Sequence, residues 1–538
     1  MRRFELGVLL FSVFLIAICG LLYELLISTI STYFLGSSIL HFSLTIGIFM
    51  SAMGLGSYLS KFLHGNLLDR FVEIELFLGL AGGFSALLLY LTYSYTGNYY
   101  LVLILLIVLL GALIGLEIPI LTRVVKPYGS LKDAVAQVLS FDYIGALLAA
   151  ILFPIFLLPV FGTMRTSFLV GFLNVLVALL VIIVFRARLR YYLRHLLTAG
   201  LILVFCVFGF IYSGQLVRLF EVQLYEDDVV FTAQSPYQRV VLTQRGDKDF
   251  RLYLNGSLQF ASLDEYRYHE PLVHIPMLLA PNPKRVLILG GGDGLATQRV
   301  LSYGEAVQEI WLVDLDPTVT RLAKNHPLFR RLNDDALRQP RVHIRNEDAF
   351  KFLEASEKLY DVIIIDLPDP NDHGLSKLYS REFYELVKQR LTGAGVMVTQ
   401  STSPYFAANA FWCIHQTLEA VFGQRVAPYV AEVPTFGGFW GFNVAQNSSF
   451  LPPSRQPASC TPGTVCPNPW ITSMQARLRN KLREQPAAYK SQLQFLSAAT
   501  LQKLFIIDPD FAERPTAVNQ LNSHPLVQYY EKSWENWQ

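Results

Sequence analysis

The sequence predicts a multi-domain protein: an N-terminal all-α transmembrane bundle of about seven spans, a small antiparallel β domain, and a doubly wound α/β domain with a mostly parallel sheet. Three observations predict this. The 538 residues are 52% hydrophobic and only 16% charged, too apolar for one soluble globule, and the excess lies before residue 215. After Ser213 short runs of alternating polarity take over, separated by turn residues. From Lys284 onward, strand-like apolar runs alternate with amphipathic helical stretches, the pattern of strands joined by helical crossovers. The expected divisions are 1–215, helical; 216–270, small β; 271–450, α/β; and 451–538, a Pro-rich insertion with a helical extension.

In the first part, the runs 7–30, 39–60, 72–95, 99–121, 140–161, 165–185 and 195–213 each approach the ~20 residues that cross a bilayer core. Met1-Arg-Arg before an apolar stretch resembles a secretory leader, but the apolar run continues through Ile30 with no small-residue cleavage site, so it reads as an anchor. Arg2 and Arg3, Lys61 and Arg70, Arg123 to Lys132, and Arg186 to Arg194 occupy alternate connections, which predicts a cytoplasmic N-terminus. Seven spans would place the C-terminal half on the opposite face. Glu24, Glu117 and Asp142 fall inside spans, where carboxylates serve either interhelical hydrogen bonds or an ion route. A net charge of +2 carries no message about nucleic acid, and no nucleic acid partner is expected.

Four short strands follow: 229–232, 237–243, 250–255 and 257–261, with Arg245-Gly-Asp-Lys and Asn255-Gly as turns. The α/β part then reads as strands 285–289, 309–315, 342–345, 362–366 and 395–399, closed by a hairpin of 425–433 and 439–445. Expected helices include 295–303, 349–356, 381–391 and 407–422. Ligands on such a sheet bind beyond the carboxyl ends of the strands. Five carboxylates are placed there: Asp293, Asp314, Asp348, Asp366 and Asp369.

Gly290, Gly292 and Gly294 surround Asp293 in a turn spaced G-x-G-x-G, which lacks the third position of the dinucleotide fingerprint. Asp314, about 20 residues on, can accept both hydroxyls of a ribose. Together they read as a nucleoside site without a phosphate cradle, favouring S-adenosyl compounds over NAD. Asp348 can accept from an adenine amino group or can cap the helix that follows it. Asp366 and Asp369 would gather negative charge beside Asp293, a conflict that a cationic ligand relieves.

Several motifs in order resemble the spermidine synthases, the polyamine aminopropyltransferases: Ser235-Pro-Tyr-Gln238, Asp264 to Glu270, the Gly290 turn, Asp314, Asp348, Asp366-Leu-Pro-Asp-Pro370, Leu378 to Tyr384, Gln400 and Pro434-Thr-Phe436. The stretch runs from about 235 to 445, and the apolar first part looks like the multi-pass bacterial variants. The resemblance implies a Rossmann-like, methyltransferase-type domain that moves the aminopropyl group of decarboxylated S-adenosylmethionine to putrescine, giving spermidine and methylthioadenosine. It implies that Gln238, Asp314 and Asp348 hold the nucleoside, Asp293 the donor ammonium, and His269 the nucleoside or the amine. Tyr268, Asp369 and Gln400 would line the polyamine channel, and Asp366 would be the base. No prosthetic group or metal is expected, because sulfonium is already a good leaving group. Implied partners are putrescine or a related polyamine and the lipid bilayer of the cell membrane, with homo-oligomerisation left open.

Phe436 stands where the soluble enzymes carry a tyrosine, Asn371-Asp-His373 replaces the usual Gly-Pro of the gate, and Pro271 replaces a Met. Cys460 and Cys466 could close a small disulfide loop or stay free, whereas Cys19, Cys206 and Cys413 read as unpaired core residues. The tail from Trp470 reads as helical with a basic patch at 477–483; residues 493–508 would extend the α/β part, and the rest would pack on the bundle. Two alternatives stand beside the aminopropyltransferase: a methyltransferase using intact S-adenosylmethionine, and a transporter or sensor that binds polyamine or nucleoside without turnover.

Overall fold

The computed structural model describes residues 2–35, 39–225, 227–246, 249–447 and 468–534; Cys460, Cys466 and the Pro-rich insertion around them lie outside the described residues. The chain divides into two compact units, Met1–Thr243 and Gln244–Gln538.

The first unit is built on α1 (Arg2–Leu35), α2 (Ile39–Leu59), α3 (Leu67–Gly83), α4 (Ser85–Tyr95), α5 (Tyr99–Val125), α6 (Leu131–Leu152), α7 (Leu158–Val184) and α8 (Tyr192–Leu224). They form six stretches long and apolar enough to cross a membrane, one fewer than the seven runs read from the sequence, because 131–184 forms one stretch of 54 residues. A straight helix of that length would be about 80 Å long, well over twice a hydrocarbon core. It is not straight: Gly162 is non-helical, with φ 69° and ψ −179°. Gly145 of α6 lies against the backbone of Phe14 on α1. Cys19, just over one turn further along α1, meets the carbonyl of Val170 on α7. Residues 145 and 170 would stand about 37 Å apart on a straight helix, so the chain doubles back between α6 and α7.

Apolar side chains also cover the outside of this unit, with Leu105 59%, Leu147 63% and Val204 66% exposed. Inside, Asn174 donates to Glu75 at 3.0 Å, and Glu117 is buried. Asp142 lies in the middle of α6, not at the start of a span, since the helix begins nine residues earlier than its apolar run. Cys19, Cys206 and Cys413 are free and buried.

Strands β1 (Asp228–Gln234) and β2 (Arg239–Arg245) follow, and the division between units falls inside β2. The second unit opens with β3 (Asp249–Leu254) and β4 (Ser257–Ala261), an antiparallel pair closed at Leu254↔Ser257. Its tight turn is Asn255-Gly256, both at positive φ (48° and 81°), the chemistry that a two-residue hairpin demands. Next comes α9 (Tyr266–Leu279), a helix the sequence reading lacked. Pro271 and Pro276 lie inside it and read as breakers, but its apolar face is buried along its length and overrides them.

The main sheet uses β5 (Arg285–Gly290), β6 (Glu309–Val313), β7 (Val342–Arg345), β8 (Tyr360–Asp366), β9 (Leu391–Gln400), β10 (Val426–Val433) and β11 (Gly438–Gln446). Their spatial order is β10-β11-β9-β8-β5-β6-β7. β7, β6, β5, β8 and β9 run parallel, while β11 pairs antiparallel with β9 and with β10. Val286 to Leu289 and Val362 to Ile365 are wholly buried, as continuous apolar runs in a two-sided parallel sheet must be. The crossovers carry α10 (Leu295–Leu301), α11 (Pro317–Asn325), α12 (Pro327–Leu332), α13 (Ala349–Ala355), α14 (His373–Ser376), α15 (Arg381–Gln389) and α16 (Ala408–Phe422).

The chain leaves β5 toward β6 and β7, then returns to β8 on the other flank. The switch in strand order therefore falls between β5 and β8, and the ligand crevice opens there. The tail adds α17 (Pro469–Glu484), α18 (Ala487–Lys490), α19 (Ala498–Leu504) and α20 (Pro525–Trp534). Contrary to the expectation for its last part, it packs on this second unit. Trp412 donates to the carbonyl of Phe511 at 2.9 Å, Cys413 to that of Ala517 at 3.1 Å, and Leu526 is fully buried in the cluster beside Ile414. Leu526 and Val527, in the first turn of α20, are buried, as is Ser533 near its end.

Candidate active site

The register of the parallel sheet places Gly290, the last residue of β5, directly opposite Asp366, the last residue of β8. Gly290 has φ +82°, and a β-carbon there would stand 2.0 Å from the carbonyl oxygen of Asp366, so only glycine lets the two strand ends close. The N–H of Gly291 donates to that same carbonyl at 3.0 Å. The Asp366 carboxylate is thereby fixed at the switch point, where its Oδ1 accepts from the Tyr268 hydroxyl of α9 at 2.7 Å. Burial raises the Asp366 carboxyl from its ordinary range, against the charge of His269 and the Tyr268 hydrogen bond, which both pull it down. Burial, together with the Asp366 charge, holds the Tyr268 phenol far above its usual range.

Asp293 is buried in the turn after β5, its Oδ1 accepting from the Leu295 N–H at 2.8 Å where α10 begins. Burial, opposed by the charge of His269 and reinforced by that of Asp366, pushes Asp293 up to about 6. His269 follows Tyr268 on α9, and its Nδ1 meets Glu265 Oε2 at 2.9 Å. Burial alone would lower His269, but the hydrogen bond and charge of Glu265 outweigh it and raise the imidazole. Arg299 clamps the other Glu265 oxygen at 2.6 Å. The crevice is therefore not wholly uncompensated, as the sequence suggested: one imidazole of raised basicity faces Asp293 and Asp366.

Asp314 stands just past β6. Its Oδ2 accepts from the Gly292 N–H at 3.0 Å and its Oδ1 from the Asp316 N–H at 2.8 Å. Burial, against those two N–H groups, pushes Asp314 up to about 7. Gly294 is left-handed and opens α10. Asp348 caps α13, accepting from the Phe350 N–H at 2.8 Å, and its other oxygen takes the Lys377 ammonium at 2.5 Å. Burial raises Asp348, but Lys377 outweighs it and leaves the carboxyl below its ordinary range. The capping alternative weighed from sequence is thus realised, and Lys377 had no sequence signal.

Asp369 accepts from three neutral side-chain donors. Its Oδ2 accepts from the hydroxyls of Tyr530, at 2.9 Å, and Thr402, at 3.2 Å, and its Oδ1 from Gln400 at 3.3 Å. Burial pushes Asp369 up to about 6 against these three bonds. Gln400, the last residue of β9, also donates to the Leu367 carbonyl at 2.8 Å and accepts from the Thr402 N–H at 2.8 Å. Thr402 has φ 59°, a strained setting for a β-branched residue, held where its hydroxyl reaches Asp369. Phe436 lies edge-on to Tyr268, ring centres 5.7 Å apart.

Of the residues singled out, the structure thus gathers Tyr268, His269, Gly290, Gly292, Asp293, Gly294, Asp314, Asp366, Asp369 and Gln400 around the strand ends, with Asp348 at the start of α13. Gln238 belongs to the first unit, in the turn between β1 and β2, where its N–H donates to the Ser235 hydroxyl at 2.9 Å. Glu265, Arg299, Lys377, Thr402 and Tyr530 went unread. Glu265 lay in plain view, four residues before His269, while the others are brought in by tertiary folding alone.

An open, mostly parallel sheet with buried and half-buried carboxylates crowded at its switch point defines a protein of the doubly wound α/β class. Comparison with known proteins is consistent with this and more specific. The spermine/spermidine synthase domain family matches residues 265–452. The polyamine aminopropyltransferase of Leptospira interrogans serogroup Icterohaemorrhagiae serovar copenhageni is 40% identical over 527 residues, which cover 97% of this chain and 98% of the relative. Polyamine aminopropyltransferase 2 of Ralstonia nicotianae is 39% identical, over 98% of each chain. A solved spermidine synthase from Thermotoga maritima is 24% identical with a TM-score of 0.44, covering 52% of this chain and 85% of its own. The chain belongs to the polyamine aminopropyltransferase family, the spermine/spermidine synthases, and is an enzyme of that class. The likeness to the full-length relatives extends through the helical unit, beyond the stretch 235–445 in which the motifs lie.

Proposed function

We propose that the protein transfers the aminopropyl group of decarboxylated S-adenosylmethionine to putrescine, giving spermidine and methylthioadenosine. The observation that carries this reading is the Tyr268–Asp366 pair at the switch point, 2.7 Å apart, with the buried Asp293 and the half-buried Asp369 beside it. In this reading Asp314 holds the ribose, Gly290, Gly292 and Gly294 let the nucleoside approach the turn, and Asp348 completes the nucleoside side. Asp293 binds the ammonium of the donor. His269 tempers the charge between Asp293 and Asp366. Tyr268, Asp369 and Gln400 line the path of the acceptor.

The chemistry follows from these placements. An amine attacks only when neutral, and deprotonating a group of pKa ~10 near pH 7 costs about 4 kcal/mol. Asp366, its basicity raised by burial, takes that proton while Tyr268 holds the carboxylate in place. The nitrogen lone pair forms the new N–C bond as the C–S bond breaks, and the sulfonium leaves as a neutral thioether. An acidic crevice also explains donor choice: intact S-adenosylmethionine carries a carboxylate that Asp293 would repel, whereas the decarboxylated form carries only an ammonium.

The helical unit serves as a membrane anchor, supported by six apolar helical stretches and by their apolar outer surface. With the doubling back around Gly162, this reading counts 131–184 as two passes.

Purified protein is incubated with putrescine and either decarboxylated or intact S-adenosylmethionine. Methylthioadenosine and spermidine from the decarboxylated donor alone are expected. A methylated amine from the intact donor would replace this reading with methyl transfer, and binding without product from either donor would leave a sensor or transporter.

A further inference from the structure

Asp369 is held by three neutral donors: a phenol, an amide and an alcohol. Such donors fix a carboxylate without cancelling its charge, which a lysine or arginine would do. One of them comes from far away in the chain. Tyr530 lies on α20, 161 residues from Asp369, in a helix that is tied down independently of this bond. Leu526 and Val527 are buried beneath it, and the Trp534 indole stacks on the Phe406 ring at 5.4 Å and 13°. The same tail grips the segment that follows Asp369-Pro370. Asn519 donates to the Ser376 carbonyl at 2.9 Å, and the His524 and His373 rings sit 4.9 Å apart. The seat of α20 therefore does not need the Tyr530 hydroxyl, which is spent on a site carboxylate. Phe436, against Tyr268 in the same crevice, offers no polar atom.

We propose that α20 forms a wall of the acceptor site and that Tyr530 is a positioning residue, holding Asp369 so that its charge meets the distal ammonium of a diamine. The inference rests on the acceptor path proposed above. While the near nitrogen of the diamine reacts at Asp366, the far one is charged, and only Asp369 among the residues assigned to that path carries a compensating charge. The phenol thereby sets a preference for diamines over monoamines.

The test uses the full chain and two acceptors, putrescine and n-butylamine, which differ only in the distal ammonium. Tyr530→Phe is expected to raise the KM for putrescine about 10–100-fold, the worth of a hydrogen bond to a charged group, with kcat, the donor KM and butylamine kinetics unchanged. Thr402→Val, acting on the same Asp369 oxygen, is expected to show the same diamine-selective loss. Equal losses for both acceptors, or an unaltered putrescine KM, would overturn the proposal. Should Tyr530→Phe fail to fold, Thr402→Val decides alone by the same readout. Wild-type protein that turns over neither acceptor would instead strike the underlying functional reading, and this proposal with it. Wild-type turnover with an indifferent Tyr530→Phe strikes only the role of Tyr530.

Discussion

The backbone N–H of Gly292 donates to Oδ2 of Asp314 at 3.0 Å, tying the turn after β5 to the end of β6. The bond orients the carboxylate that the functional reading gives to the ribose, and the glycine is needed for it. A β-carbon at 292 would stand 2.5 Å from that same oxygen. Gly292→Ala is expected to displace Asp314 and weaken nucleoside binding by about 1.5–3 kcal/mol, the worth of a charged hydrogen bond. Calorimetric titration with methylthioadenosine checks it; undiminished affinity would detach Asp314 from the nucleoside.

Asp366→Asn removes the base and should lower turnover about 10²–10⁴-fold while nucleoside binding persists. Tyr268→Phe makes a subtler test. The phenol's hydrogen bond pulls the Asp366 carboxyl down, so its loss lets that carboxyl rise further. The base then stays protonated to higher pH, and the acid limb of the kcat/KM profile is expected to move upward. A limb that stays in place would mean that Asp366 is not the group being titrated.

Asp293 bears on stability as well as on binding. Its folded-state value of about 6 lies above the unfolded ~3.9. Above pH 6 the folded protein therefore carries a buried charge that destabilises it, and the penalty fades as pH falls toward 4. Asp293→Asn is expected to raise the melting temperature of ligand-free protein at pH 8, by about 1–3 kcal/mol of stability. The gain should shrink at pH 5, and donor-dependent activity should be lost at both. Differential scanning fluorimetry of both proteins across that range reads the difference, in which the groups that do not interact with Asp293 cancel. A difference independent of pH contradicts the assignment.

Glu270, fully buried on α9, accepts backbone N–H bonds from Gln494 at 2.7 Å, Phe495 at 3.0 Å and Leu496 at 2.7 Å. Removing the carboxylate strands three donors, and Glu270→Ala is expected to cost about 2–5 kcal/mol. Urea denaturation of the variant reports the loss, and early proteolysis near 494–496 would locate it. A variant as stable as the parent would show that water replaces the carboxylate there.

The strand ends were legible because parallel, two-sided strands must be continuous apolar runs, and the polar residue that breaks each run marks the crevice. Asp366 was found by that break, and Asp314 by its spacing from the glycine turn. Asn255-Gly256 announced its hairpin through the two positive φ angles it takes. α9 stayed hidden because Pro271 and Pro276 speak locally against a helix while burial of a whole face decides in favour. The doubling back between α6 and α7 was legible as two apolar runs, though the helix begins at Leu131, well before the run that marked it. Lys377 and Tyr530 could not be read, since nothing in a local pattern says that a lysine in one loop or a tyrosine in a tail helix will meet a particular carboxylate. Contacts of that kind belong to the packing of distant segments.

That last contact also sets an order of events. Asp369 and the phenol that holds it are 161 residues apart, and ribosomes add roughly 5–20 residues per second. A nascent chain thus carries Asp366 and Asp369 for roughly 8–30 s before Tyr530 has been made. β9, β10 and β11 are also made within that interval, so the sheet is complete in sequence before the helix that carries Tyr530. On the proposed reading, a chain interrupted within the tail would lack the α20 wall, and acceptor selectivity would report whether synthesis has reached Tyr530.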